Sequence, residues 1–330
     1  MNSTIPSSSS SSYVVNMMNT IQMVFVEIFI ILISIGLFVN TINCIIFYQA
    51  RFRGNACALL CASISVINIV IIIQGFIHSM LTILWNSNPD NSSSGYCKTR
   101  LYIRHSLMMG NRTLTIFACF TCFALSSKRV HLRLLVGRIS LIYYLIIITC
   151  FLWFLISIHI LFNLDIVNTQ CIMIGNYELI FSIYLIILAG ILSPTLMISF
   201  IYLTLLNLKE LHRPKETLNK NFDTSHRIKK RDSQLIRMLL SHVIIYLITT
   251  FLFPINMFYQ AITQYINKSS ERLAIESFIT FNTDYFIFYL NNIAPFFTYY
   301  CTSSSFRTEL KRIRFMCKNH NRVASNSTLT

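Results

Sequence analysis

Charge is scarce in this chain. Only 12% of its 330 residues are Asp, Glu, Lys or Arg, against roughly 25% in ordinary soluble domains. With 54% of residues hydrophobic, too little polar surface exists to clothe a globule in water. The ten cysteines include one CxxC, Cys119-Phe120-Thr121-Cys122, inside an apolar run, and no Cys/His cluster at zinc-ligand spacing. Neither a metal framework nor a dense disulfide scaffold is indicated, and a single disulfide is left open. HExxH and Gly-x-Ser-x-Gly are missing, as is any pair of carboxylates within one apolar run, so neither an enzyme nor a cofactor is expected. The first twenty residues hold no Lys or Arg. The positive region of a cleaved signal peptide is therefore lacking, and the first apolar helix is expected to serve as its own signal. No internal repeat of the transporter kind is visible.

What the chain does have is apolar runs of membrane-crossing length. A spanning helix needs about 20 mostly apolar residues, and seven stretches qualify: Ile21 to Tyr48, Ala56 to Leu84, Leu101 to Ser126, Ile139 to Phe162, Tyr177 to Leu206, Leu235 to Ile262 and Phe278 to Cys301. Runs such as Ile69-Val70-Ile71-Ile72-Ile73 favour strands in water, but in lipid the backbone must satisfy its own hydrogen bonds and helix wins. The expected fold is all-α, a seven-transmembrane-helix bundle. It divides into a Ser-rich tail (1–20), the helical domain (21–302), a short amphipathic helix (303–316) and a C-terminal tail (317–330).

The formal charge of +15 reads as topology and not as nucleic acid binding, because Lys and Arg gather in short loops. One face of the bundle would carry 20 of them and the other 4. By the positive-inside rule the N-terminus is outside and the C-terminus cytoplasmic, which suits a multi-pass plasma-membrane protein. Glycosylation sequons at Asn2, Asn91 and Asn267 fall on the face assigned as extracellular. Near the C-terminus Phe306, Leu310 and Ile313 share one helical face with bases opposite, the pattern of an interfacial helix.

Particular residues within the runs carry a resemblance. Gly36-Leu-Phe-Val-Asn40 in the first, Trp153 in the fourth, Pro194 and Tyr202 in the fifth, Pro254 in the sixth, and Pro295 with Tyr299 in the seventh stand where the rhodopsin-like G-protein-coupled receptors place an Asn, a Trp, bending prolines and tyrosines. Over roughly residues 21 to 316 the chain resembles that family, and the helix after residue 303 is similar to its short cytoplasmic eighth helix. The resemblance implies a disulfide from Cys97, at the top of the third helix, to Cys171 in the loop before the fifth. It also implies an extracellular ligand, a heterotrimeric G protein at the basic face, and a lipid bilayer around the bundle. Cys317 is read either as a palmitoylation site or as a free thiol.

The departures matter as much. The Asp-Arg-Tyr triplet reads Thr121-Cys122-Phe123, the second-helix Asp is assigned to Ser65, and the Trp before Pro254 is Leu252. The position of a retinal-binding lysine holds Phe288. The expected ligand pocket is Arg104, about 10 Å inward from Cys97, and Asp284, with His105, Glu178 and Phe288 around them. Arg104 and Asp284 are expected either to bridge each other or to meet a ligand. An arginine in place of an acid disfavours amines, and a peptide, such as a neuropeptide, is the preferred ligand. The rival reading is a seven-helix chemosensory channel or transporter-like protein without G-protein coupling.

Overall fold

The computed structural model describes residues 7–49, 52, 54–85, 89–167, 170–211, 237–264 and 266–327. It is all-helical apart from one small hairpin. The helices are α1 Ser7–Tyr48, α2 Ala56–Trp85, α3 Pro89–Ser92, α4 Ser94–Ser126, α5 Val130–Gly137, α6 Ile139–Ile156, α7 His159–Phe162, α8 Tyr177–Leu185 and α9 Ser193–Leu211. They continue as α10 (237–250), α11 Leu252–Thr263, α12 Ser270–Phe281, α13 Phe288–Thr302 and α14 Ser304–Ser327.

Among the described residues, six helical stretches are long and apolar enough to cross a membrane: Glu27–Tyr48, Ala56–His78, Ser94–Ser126, Ile139–Phe162, Tyr177–Lys209 and Arg237–Thr263. They match the first six runs expected from sequence, and the protein is a helical membrane protein. The seventh run is covered by α12, a π-helical turn Asn282–Ile287, and α13. Apolar side chains such as Ile147 (64% exposed) and Phe151 (61%) stand outward, as a lipid-facing surface requires.

Helix α4 runs through the middle, against α2, α6 and α9, while α1 packs on α2, α12 and α13. Helix α8 meets α11, α11 meets the π-helical turn Asn282–Ile287, and α13, which follows that turn, returns to α1, closing a ring that also includes α2, α4 and α9. Helix α6 leans on its outside, burying only Ile142 and Thr149.

Local chemistry sets the element ends and irregularities. Asn55 caps α2 by accepting from the Ala58 amide at 3.1 Å, and Ser93 caps α4 by accepting from Tyr96. Pro194 has no N–H for the turn before it, and the chain there widens into a π-helix, Ile186–Leu192. The Ser193 hydroxyl donates to the Leu188 carbonyl at 2.6 Å, supplying a donor within the widened turn.

Three features extend or depart from expectation. The first helix reaches back to Ser7, into the segment read as a tail. The last helix reaches Ser327, well past residue 316. Phe306 is fully buried there against Phe47, Phe296 and Tyr299, so the apolar face read from sequence is the one that docks. The segment before α8, read as a plain loop, holds antiparallel strands β1 Leu164–Val167 and β2 Gln170–Met173, with Ile166 opposite Cys171. Gly175, at φ +58°, turns the chain from the hairpin into α8.

Candidate functional site

At one end of the bundle, Cys97 in the first turn of α4 is bonded to Cys171 of β2, with Cα atoms 5.9 Å apart. That separation lies within the normal disulfide range. A second tie reinforces it: Asp165 of β1 accepts from Ser94 Oγ at 3.0 Å, with Lys98 Nζ at 4.0 Å. The Ile166 amide, Ser94 and Lys98 together hold the Asp165 carboxyl below its ordinary range. Beside them Arg100 pairs with the buried Asp90.

The hairpin leads directly into α8, whose first turn carries Glu178. Glu178, Gln260, Lys268, Glu276 and Thr280 line a wide, open pocket of about 450 Å³. Its walls are fixed by polar contacts centred on Glu276, which accepts from Lys268 Nζ at 2.5 Å, Arg272 Nε at 2.8 Å and Tyr259 Oη at 2.8 Å. Burial raises the Glu276 carboxyl, yet the bonds from Lys268, Arg272 and Tyr259 outweigh it and leave the group below its ordinary value. Both signs of charge and several amide and hydroxyl groups face this space. Such a rim suits a polar, peptide-like guest better than a lipid.

The residues expected to form one pocket are divided. Arg104 lies over the Phe288 ring, 4.6 Å from its centroid, so these two meet between α4 and α13. His105 is buried and turned the other way, its Nε2 3.3 Å from Tyr184 Oη and its ring beside Phe181. Glu178 belongs to the wide pocket. The backbone of Asp284 lies in the π-helical turn, but its side chain is outside the described residues, as are Asn2 and the side chains of Asn91 and Cys317. Asn267 is exposed between α11 and α12.

Deeper, a narrow polar cavity of about 30 Å³ is lined by Asn68, Asn111, Arg112, Tyr246, Asn291, Asn292 and their neighbours. Beside it lies a bonded amide cluster. Asn40 Nδ2 donates to the Gly36 and Asn292 carbonyls at 2.9 and 3.0 Å. Asn68 Nδ2 donates to the Asn292 carbonyl at 3.2 Å and to Asn40 Oδ1 at 3.3 Å, and Asn111 Nδ2 to Asn68 Oδ1 at 2.8 Å. Four helices thus share one set of hydrogen bonds, in the turn before Pro295. Close approach is permitted by Gly36, where a methyl group would stand 2.9 Å from both Ile293 and Ile72. The second-helix partner of Asn40 is Asn68 and not Ser65, whose hydroxyl bonds the Cys61 carbonyl in its own helix. Asn68, Asn111 and Asn292 were legible as amides inside apolar runs, where lipid makes a polar group costly unless it is paired.

The remaining positions sort as follows. Trp153 Nε1 donates to Thr113 Oγ1 at 2.8 Å, tying α6 to α4. Pro254 is buried close to Gly190. Tyr202 is 61% exposed and faces outward, not into the bundle. Tyr299 is fully buried, its hydroxyl 3.4 Å from His242 Nδ1. Cys122, in the place of the family's arginine, lies with its sulfur 3.2 Å from that of Cys57. In comparisons with known proteins, no family model and no curated protein matches the chain.

Proposed function

We propose that the protein is a cell-surface receptor of the rhodopsin-like, G-protein-coupled kind, with seven spanning helices, its N-terminus outside and its C-terminus in the cytoplasm. In this reading the last turn of α12 from Phe278, the π-turn and α13 supply the seventh span, and α14 lies along the cytoplasmic membrane surface as the eighth helix. The observation that carries the proposal is the Cys97–Cys171 bond, which pins the hairpin to α4 at the bundle end where the wide pocket opens. This end holds few bases, while most Lys and Arg lie toward the other, where lipid headgroups and a G protein would both meet them.

The ligand is an extracellular peptide that places an acidic group near Lys268 or Arg104 and a basic group near Glu178. Sequons at Asn2, Asn91 and Asn267 are sites of glycosylation. Coupling occurs without the arginine latch, through the cytoplasmic ends of the third, fifth and sixth helices. Two measurements test this. An N-terminal tag on intact cells must be reachable by antibody without permeabilisation; a tag reachable only afterwards removes the receptor reading and favours a channel of inverted orientation. A panel of peptides and amines, read by second-messenger assays in expressing cells, must yield peptide-driven responses that fail when Glu178 or Lys268 is neutralised.

A further inference from the structure

The deep cavity contains a cation for which the described residues offer no counter-charge. Arg112 sits near the middle of the 33-residue α4, about 20 Å at helical rise from its nearer end, too far for the side chain to reach water. Its residue is 5% exposed. The guanidinium has five N–H donors and cannot be deprotonated in a protein. Its neighbours are the Met109 thioether, at 3.7 Å from Nη1, and the Tyr246 ring, with its centroid 5.9 Å away. The acids paired among the described residues serve other bases: Asp90 with Arg100, Glu276 with Lys268 and Arg272, Asp165 with Lys98, and Glu309 with Arg312. An uncompensated buried charge is among the most expensive groups a protein can hold.

We infer that the cavity beside Arg112 binds a small monovalent anion, chloride, as its counter-ion. Space and chemistry agree. About 30 Å³ accommodates one such ion with little besides, and excludes phosphate or sulfate with their hydration. The walls offer neutral hydrogen-bonding groups, including the Tyr246 and Thr250 hydroxyls and the Asn291 amide. Asn291 Oδ1 is buried without a hydrogen-bond donor, and the same amide turned over presents its N–H groups to the ion. The ion would neutralise the guanidinium between α4, α10 and α13. A carboxylate carried by a ligand has the same chemistry, but would have to pass Met108, Phe253 and Phe288, which line the cavity.

The test is a thermal melt of the purified full-length protein in lipid nanodiscs, followed by labelling of buried cysteines. It needs no agonist and no G protein, so it stands or falls apart from the receptor reading. Sodium chloride, bromide, gluconate and formate are compared at equal ionic strength. The expected result is a saturable rise of about 5 °C in chloride and bromide over gluconate, lost in Arg112→Met. A wild-type melting temperature equal in all four salts overturns the inference without any variant. So does a halide effect that survives in Arg112→Met. Stabilisation by formate but not by halide also overturns it, and assigns Arg112 to a ligand carboxylate.

Discussion

Gly75 offers the sharpest test of the packing around the seventh run. It lies in the interior of α2, where replacing glycine by alanine ordinarily stabilises a helix by about 1 kcal/mol. Here the added methyl carbon would stand 1.8 Å from Tyr289 Oη, 2.4 Å from Cζ and 2.9 Å from Cε1. The Tyr289 ring cannot easily step aside. It is buried, edge-on to Phe29 at 4.9 Å and to Phe288 at 5.3 Å. Overpacking of this sort costs about 1–3 kcal/mol, which exceeds the propensity gain at all but its lower end. Gly75→Ala should therefore destabilise by about 1 kcal/mol, a fall of a few degrees in a nanodisc melt. Tyr289→Phe removes the nearest atom but leaves Cζ at 2.4 Å, so the double mutant should recover only part of the loss. A positive coupling of at least about 0.5 kcal/mol identifies direct contact. If Gly75→Ala melts at or above the wild type, Tyr289 does not occupy this groove and the placement of α13 against α2 is wrong.

Three further outcomes follow. Cys97→Ser or Cys171→Ser should lower surface expression; closing a loop of 74 residues is worth at most about 4.5 kcal/mol, less here because membrane helices already restrict the reduced chain, and equal melts with and without reductant would refute it. Asn68→Leu should destabilise by about 2–4 kcal/mol, since it leaves groups of Asn40, Asn111 and Asn292 short of partners, whereas Ser65→Ala should change the melt little. Glu276, held below its ordinary pKa in the folded state, contributes stability above the unfolded carboxyl value of about 4.3 and loses it as pH falls through the folded value; acid melts should steepen there in the wild type and flatten in Glu276→Gln.

How much of this was legible in the sequence depends on whether a signal is local. The first six helix positions and the apolar face of Phe306, Leu310 and Ile313 depend on run length and spacing, and the Cys97–Cys171 link followed from the family resemblance; these appear in the structure. The second-helix partner of Asn40 did not follow from counting, because a helix turns about 100° per residue and Asn68 stands three residues beyond Ser65, the position assigned to the family's Asp. The expected pocket residues were spread over the bundle for the same reason. Arg104 and His105 are adjacent in sequence, so they diverge around α4, one toward Phe288 and the other toward Tyr184. Glu178 acquired its surroundings from Lys268 and Glu276, in a segment between apolar runs that carries no periodic signal. The hairpin at 164–173 was equally hidden, since its order comes from the disulfide and from Asp165 more than from strand length.

On the proposed receptor function, contacts between neutral groups at the basic end stand where the resembled family has its latch. Where the resembled family has a charged arginine, Cys122 meets Cys57 at 3.2 Å, and Tyr299 faces His242 at 3.4 Å. Contacts between neutral groups at such distances are weak, about 1 kcal/mol or less, against roughly 1.5–3 kcal/mol for hydrogen bonds to charged groups. The inactive arrangement is then favoured by about 1–2 kcal/mol less than with a latch, enough to raise the resting population of the active form about 5- to 30-fold if it begins as a minor state. On the proposed receptor function, cells expressing the wild type should show agonist-independent signalling in proportion to surface density. Changing Thr121-Cys122-Phe123 to Asp-Arg-Tyr should lower that basal signal while leaving peptide binding at the opposite end intact. The guanidinium brought in by Cys122→Arg needs an acceptor, either on α10 or in the carboxylate that Thr121→Asp supplies beside it. Cys122→Arg alone should therefore destabilise instead. If the triple change reaches the surface and alters neither basal nor stimulated signal, the neutral contacts of Cys122 are not the element that sets the resting equilibrium.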